Sequence, residues 1–260
     1  MKRTLICFAV AAIAASYAVF LLERNTVFRL GREDGLFEDV TAVCFFAASA
    51  LFAMSFWRSR GAGNDLAGFR TRRNLFFLLL AMLFFVGGGE EISWGQRIFG
   101  WETPDSFQKS NLQRETNLHN LKLFHRQDVT GQGKSGLSEF VTAERLFSLF
   151  WFGFCVAVPL GHRFIGPLAR LLRRVNVPIV PLGLGLLFMV NYAMGEALKP
   201  HALHLDLDWP LMEIKECLFS VLFVLIGVYF LRGLRAAAAE TPAVQAVTPQ
   251  PPRAAPTSPA

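Results

Sequence analysis

The chain has 260 residues, 53% of them hydrophobic and 18% charged, with a formal net charge of +6. A soluble domain carries roughly 25% charged residues, so this composition excludes a disordered chain and speaks against an ordinary water-soluble globule. It points to a membrane protein, where a basic excess orients loops and does not imply a nucleic-acid partner.

Crossing a hydrocarbon layer of ~30 Å takes about 20 apolar residues in a helix. Six runs approach that length: 5–22, 37–57, 74–93, 146–165, 178–197 and 211–231. The expected fold class is all-α, a six-transmembrane-helix bundle over residues 1–235. The first run follows Lys2 and Arg3 and continues through Leu22, which favours an uncleaved helix. A signal peptide ending at Ser16-Tyr17-Ala18 is the alternative. The loop 58–73 carries Arg58, Arg60, Arg70, Arg72 and Arg73, and the loop 162–177 carries Arg163, Arg170, Arg173 and Arg174. With Lys2, Arg3, Arg232 and Arg235, they fall on one side if both termini are cytoplasmic in a bacterial inner membrane. On this topology the cytoplasmic segments hold only two acids, Asp65 and Glu240, and the outward face is acidic.

The outward loops are then 23–36, 90–145 and 198–210. Trp94, Trp101, Trp151 and Trp209 fall near the outer boundary and Trp57 near the inner one, the pattern of an aromatic belt. Cys7, Cys44, Cys155 and Cys217 lie inside spans and read as small apolar residues, with no disulfide framework. The segment 236–260, rich in Ala and Pro, is expected to be a disordered cytoplasmic tail.

Ionisable groups inside a membrane are costly, so they are functional candidates. Counted along the helices from the flanking arginines, Glu90, Asn191 and Glu216 stand at a similar ~25 Å, with Glu213 and Glu196 slightly further out. Four of the five histidines, His119, His125, His201 and His204, join them on the outer face. Gly87-Gly88-Gly89 beside the Glu90–Glu91 pair has two readings: close packing of a neighbouring helix, or a helix break that admits a polar group. The segment 111–121 reads as a short amphipathic helix, which places Glu115 four residues before His119 on one face. Glu213 and Glu216 begin the last span, with Lys215 between them as a local counter-charge, and Glu196 has Lys199 as a neighbour. Gly131-Gln132-Gly133-Lys134-Ser135-Gly136 matches a dinucleotide-binding spacing, but no strand precedes it, so a nucleotide fold is not expected. Ser138 is the expected N-cap of the fourth span, with Glu139 in its first turn.

The block Gly89-Glu90-Glu91-Ile92-Ser93-Trp94-Gly95-Gln96-Arg97, followed by Asn117-Leu118-His119-Asn120, resembles one found in uncharacterised bacterial multi-pass membrane proteins, a likeness that brings no activity with it. Glu90-Glu91, with His204 and Asp208, is also partly similar to the motifs of CAAX-protease-like intramembrane proteases. Gly95 stands where that family has arginine, and no outer-face histidine has Phe four residues before it, so the family is not adopted.

The expected function is an outward-facing polar site at the membrane boundary, a metal- or glutamate-dependent hydrolase or transferase acting on a lipid or lipid-linked substrate. Candidate catalytic residues are Glu90, Glu91, His119 and Glu213. Candidate substrate contacts are Ser93, Trp94, Gln96, Arg97, Glu115, Asn117, Asn191 and Glu196. His201, His204, Glu91 and Glu213 form a candidate ligand set for zinc or manganese. The expected partners are the bilayer and the lipid substrate, with no nucleic acid. A membrane scaffold using the 90–145 loop, or a component of a proton- or cation-coupled transporter, is the alternative.

Overall fold

The computed structural model describes residues 2–32, 35–66, 69–124 and 141–240. These residues are predominantly helical. In chain order the helices are α1 (Lys2–Ala18), α2 (Arg24–Leu30), α3 (Leu36–Arg58), α4 (Leu75–Glu91), α5 (Gln96–Phe99), α6 (Asp105–Ser110), α7 (Ala143–Phe152), α8 (Val158–Phe164), α9 (Gly166–Arg174), α10 (Leu182–His204) and α11 (Asp208–Glu240). A two-residue antiparallel pair, β1 (Asp65–Leu66) and β2 (Phe69–Arg70), forms between α3 and α4.

Four stretches are long and apolar enough to cross a membrane: Arg3–Leu21, Leu36–Arg58, Ala143–Phe164 and Asp208–Ala237. At 17 residues, α4 is only ~26 Å long. Helix α10 is longer, but Asn191, Glu196 and Lys199 interrupt its apolar run.

Central to the bundle, α11 packs against α3, α10, α1 and α2. Where helices of this kind lie in lipid, apolar burial gives little net drive, so close packing must hold them. Aromatic rings fill much of that role. Phe84 meets Phe223 at 4.6 Å and Phe52 at 5.5 Å, and Phe188 meets Phe223 at 4.9 Å. Small residues let backbones approach. Helix α4 runs unbroken through its glycines: Gly87 and Gly88 lie under the rings of Phe45 and Phe46 on α3, so the reading of close packing by a neighbouring helix holds for these two.

One contact is closer still. A π-helical turn, Gly153–Ala157, joins α7 to α8. Pro159 has no N–H to give the Cys155 carbonyl four residues back. That carbonyl lies so close to Gly185 of α10 that a Cβ there would sit 1.9 Å from its oxygen. Gly185→Ala is expected to push α10 off the π turn and destabilise the bundle by about 1–3 kcal/mol. A thermal melt of the purified variant checks this, and an unchanged midpoint would contradict it.

At one end, a clasp of three asparagines joins the 59–74 loop to the residues after α9. Asn64 Nδ2 donates to the Val175 carbonyl (2.8 Å), Asn74 Nδ2 to the Asn176 carbonyl (2.7 Å), and Asn176 Nδ2 to the Ala62 carbonyl (2.7 Å). Asn74 also caps α4, its Oδ1 accepting from Phe76 N at 3.0 Å. This is the arginine-rich end of the bundle. The glutamates gather at the other.

Three local expectations are corrected. Segment 111–121 is not a helix but an irregular loop closed by a bridge between Asn111 and Leu121, because its asparagine side chains bond backbone groups in place of a helical ladder. Trp151 is not an exposed anchoring indole; it is 3% exposed and stacks on Phe219 at 5.1 Å. Helix α11 extends to Glu240, through the alanines placed by the sequence in a disordered tail, as suits the best helix former. The glycine-rich stretch 131–136, Ser138, His125 and residues 241–260 lie outside the described residues.

Candidate functional site

Adjacent residues at the end of α4, Glu90 and Glu91, have opposite environments. Glu90 is nearly buried, and its carboxylate accepts hydrogen bonds on both oxygens. Oε2 takes the backbone N–H of Leu118 (2.5 Å) and of His119 (2.8 Å), with the His119 ring Nδ1 at 3.3 Å. Oε1 takes the indole N–H of Trp94 at 2.6 Å. His119 is thus held by Glu90, not by Glu115 as the helical spacing suggested.

The backbone after α4 makes this arrangement reachable. Ser93, Trp94 and Gly95 have φ of 46°, 55° and 84°, three successive left-handed residues. The first two carry side chains, each at a cost of roughly 1–2 kcal/mol. The reversal folds Trp94 back onto α4, where its ring lies against Gly89: a Cβ there would sit 2.9 Å from the indole. The bonds made by Trp94 and Ser93 offset the strain. Ser93, fully buried, donates its hydroxyl to Glu115 and accepts from Asn117 Nδ2 at 3.1 Å.

The rest of the loop continues the network. Asn111 Nδ2 donates to the backbone and side-chain oxygens of Asn117 (2.8 and 2.7 Å), and Thr116 N donates to Gln96 Oε1 (2.8 Å). Ser93, Trp94, Gln96, Glu115 and Asn117, expected to contact substrate, are engaged in holding residues 96–121 to the end of α4.

Glu91 faces elsewhere. It is half-buried and lies within electrostatic range of Glu38 on α3 and of Glu213 and Glu216 on α11. Glu216 in turn feels His119, Glu144 and Lys215. No hydrogen-bond donor reaches Glu91 or Glu216 among the described residues. Four helices therefore bring carboxylates together at one end of the bundle, with one imidazole beside them. Sequence reasoning missed Glu38 as a member; its signal is an acid in the first turn of α3, directly before a long apolar run.

Asn191 and Glu196 belong to a separate cluster between α1, α10 and α11. Tyr17 donates its hydroxyl to the Asn191 backbone and side-chain oxygens, both at 2.9 Å, and Asn191 Nδ2 donates to the Lys215 carbonyl at 2.9 Å. Glu196 lies 3.9 Å from Lys215 Nζ and 4.0 Å from Lys199 Nζ. Lys215 thus pairs with α10 as well as standing beside Glu216. Tyr17 was not singled out in the sequence, where only a tyrosine within an apolar run marks it.

His201 and His204 are exposed near the end of α10. Among the described residues no group of three or more His, Cys, Asp or Glu side chains is placed to hold a metal ion, so the set His201, His204, Glu91 and Glu213 is not brought together. What the acidic end can do with its own side chains is accept, hold and pass protons. No protein-family model, curated protein or solved structure matches this chain.

Proposed function

We propose that the protein is a six-span inner-membrane protein with cytoplasmic termini, in which α4 and α10 complete the four long spans. Its acidic end faces outward and carries a glutamate-dependent acid–base site for hydrolysis or group transfer on a lipid or lipid-linked substrate. One observation carries the reading: Glu91 and Glu216 receive no hydrogen bond from the described residues, whereas Glu90 next door is saturated. A carboxylate left without donors at the membrane boundary is the one placed to act on an incoming group.

In this reading Glu91 takes the proton from a water or an acceptor hydroxyl as its oxygen attacks the substrate's acyl or phosphoryl centre. Glu216, in its proton-bearing form, gives a proton to the departing oxygen. His119 is a positioning residue. Its Nδ1–H donates to Glu90 and its Nε2 accepts from Asn120 Nδ2 at 2.9 Å, so neither ring nitrogen is free for the transfer. Both reacting groups stand at a depth a lipid headgroup reaches without leaving the bilayer.

The protein in lipid nanodiscs, incubated with a total lipid extract, is expected to release a water-soluble headgroup or to form a new lipid, and Glu216→Gln is expected to abolish this. No change in any lipid class with the native protein would overturn the reading. The orientation has its own test. A reporter fused after Arg73 is expected to read cytoplasmic and one inserted near Gly133 external; reversal of either signal removes the outward-facing site.

A second reading, a membrane scaffold, is favoured by exposed apolar side chains on the loop: Ile98, Phe99 and Leu123 are 66%, 74% and 64% exposed. Ile98→Ser with Phe99→Ser separates the two. Loss of the cellular phenotype in this variant, with Glu91→Gln unaffected, favours the scaffold.

A further inference from the structure

The arginine-rich end holds a site that the chemistry of the acidic end does not use. A pocket of about 440 Å³ opens beside the β1–β2 pair, lined by Arg60, Gly61, Gly63, Thr71, Arg72 and Arg73. The only acid between Arg58 and Asn74 is Asp65, and it is taken by Arg70 at 3.3 Å. The three arginines of the pocket therefore keep their positive charge without a carboxylate from their own loop.

Two of them are held in place. The guanidinium of Arg73 lies 4.3 Å from the centre of the Trp57 ring and 5.6 Å from that of Phe56, and Arg60 lies 5.9 Å from Trp57. Stacking on one indole fixes both cations without consuming their N–H donors. Arg73 Nε is buried and has no hydrogen-bond partner. Two glycines shape the pocket floor. Gly61 has a φ of +82°, and at Gly63 the chain passes so close to Thr71 that a Cβ would sit 1.7 Å from its carbonyl oxygen. Asn64 N donates to Thr71 Oγ1 at 2.9 Å, and that hydroxyl donates to the Arg73 carbonyl at 2.6 Å, so these backbone groups and the Thr71 hydroxyl are satisfied within the loop.

Its position names the ligand. The pocket lies between the end of α3, a helix long enough to cross a membrane, and the start of α4. Trp57, 64% exposed, marks the interface level where indoles sit. The asparagine clasp joins this loop to α9, which buries Ala169 and Leu172 and carries Arg170, Arg173 and Arg174 along the same end. Basic pockets at this level bind phosphate-bearing headgroups, and a volume of this order accommodates phosphate with its glycerol.

We propose that this pocket binds a phosphate ester, supplied by the headgroup of an anionic phospholipid, between Arg60, Arg72 and Arg73. The proposal rests on the membrane reading of α3 but not on any chemistry at the acidic end, so either can fail alone.

The full chain, purified in a neutral detergent and delipidated, is titrated with phosphatidylglycerol or phosphatidylcholine and the bound lipid is counted by native mass spectrometry. The native protein is expected to prefer phosphatidylglycerol roughly tenfold, and Arg60→Gln with Arg72→Gln to lose most of that preference. Arg170→Gln with Arg173→Gln on α9 is the charge-matched control and is expected to keep it. Trp57→Leu, which removes the stacking surface but no charge, is expected to weaken binding in the same direction. Competition by millimolar inorganic phosphate or glycerol phosphate would keep the phosphate chemistry and move its source to a soluble ester. Equal binding of the two lipids by the native protein, or an unchanged preference in the Arg60/Arg72 variant, would overturn the proposal.

Discussion

Glu90→Gln is expected to free the 96–124 loop from the end of α4 while leaving the helical bundle assembled. The carboxylate accepts from three N–H groups and faces the His119 ring, with donors on both oxygens. A carboxamide has one oxygen and one NH2. Placed either way round, its NH2 points at an N–H donor: at Trp94 in one orientation, at Leu118 and His119 in the other. The variant loses bonds strengthened by charge and leaves at least one buried donor unpaired, at ~1–3 kcal/mol each. Glu90→Ala leaves all of them unpaired and is expected to cost about 3–5 kcal/mol. The readout is local: fast amide exchange at Leu118 and His119 and new proteolytic cuts between 96 and 124, with α3, α4 and α11 still protected. Protection at Leu118 equal to that of the native protein would show that Glu90 does not hold the loop.

Glu91→Gln and Glu216→Gln are expected to act in the opposite sense. Glu91→Gln removes one negative charge from a group of carboxylates, Glu216→Gln replaces a proton-bearing carboxyl with a neutral amide, and neither removes a hydrogen bond made by the described residues. The thermal midpoint is therefore expected to stay or rise. Activity is expected to fall by at least ~10²-fold, the contribution of a positioned acid or base. A site that gains stability when its reactive group is neutralised is one maintained for function. Glu213 is a weaker probe, because it makes further interactions of its own. A fall in stability with retained turnover in Glu91→Gln would make Glu91 a structural residue like its neighbour.

The two adjacent glutamates show where sequence reading stops. The four long apolar helices were legible because each is a continuous apolar run, and the gathering of acids at one end followed from counting 1.5 Å per residue. The division of labour between Glu90 and Glu91 was not, since residues one apart differ by about 100° around a helix and only the neighbours decide which way each faces. The reversal at Ser93-Trp94-Gly95 was equally hidden. Only Gly95 announces a left-handed residue, and the strain at Ser93 and Trp94 is held by Glu115, Asn117 and Glu90, partners that lie up to 24 residues away. The four-residue spacing of Glu115 and His119 misled for a related reason. It has meaning only on a helix, and the asparagines of 111–120 draw the backbone out of one. The arginine loop was read as a topology signal alone; its pocket depends on Trp57 lying beneath two guanidiniums, which spacing does not reveal.

The proposed division of labour has Glu90 build the acidic end and Glu91 work in it. Its most direct test compares the lipids and lipid-linked saccharides of cells carrying the native chain, the Glu91→Gln chain at equal membrane abundance, and no chain. Cells with the Glu91→Gln chain are expected to accumulate the same lipid species as the deletion. A lipid profile identical to that of native cells, where the deletion differs, would contradict it.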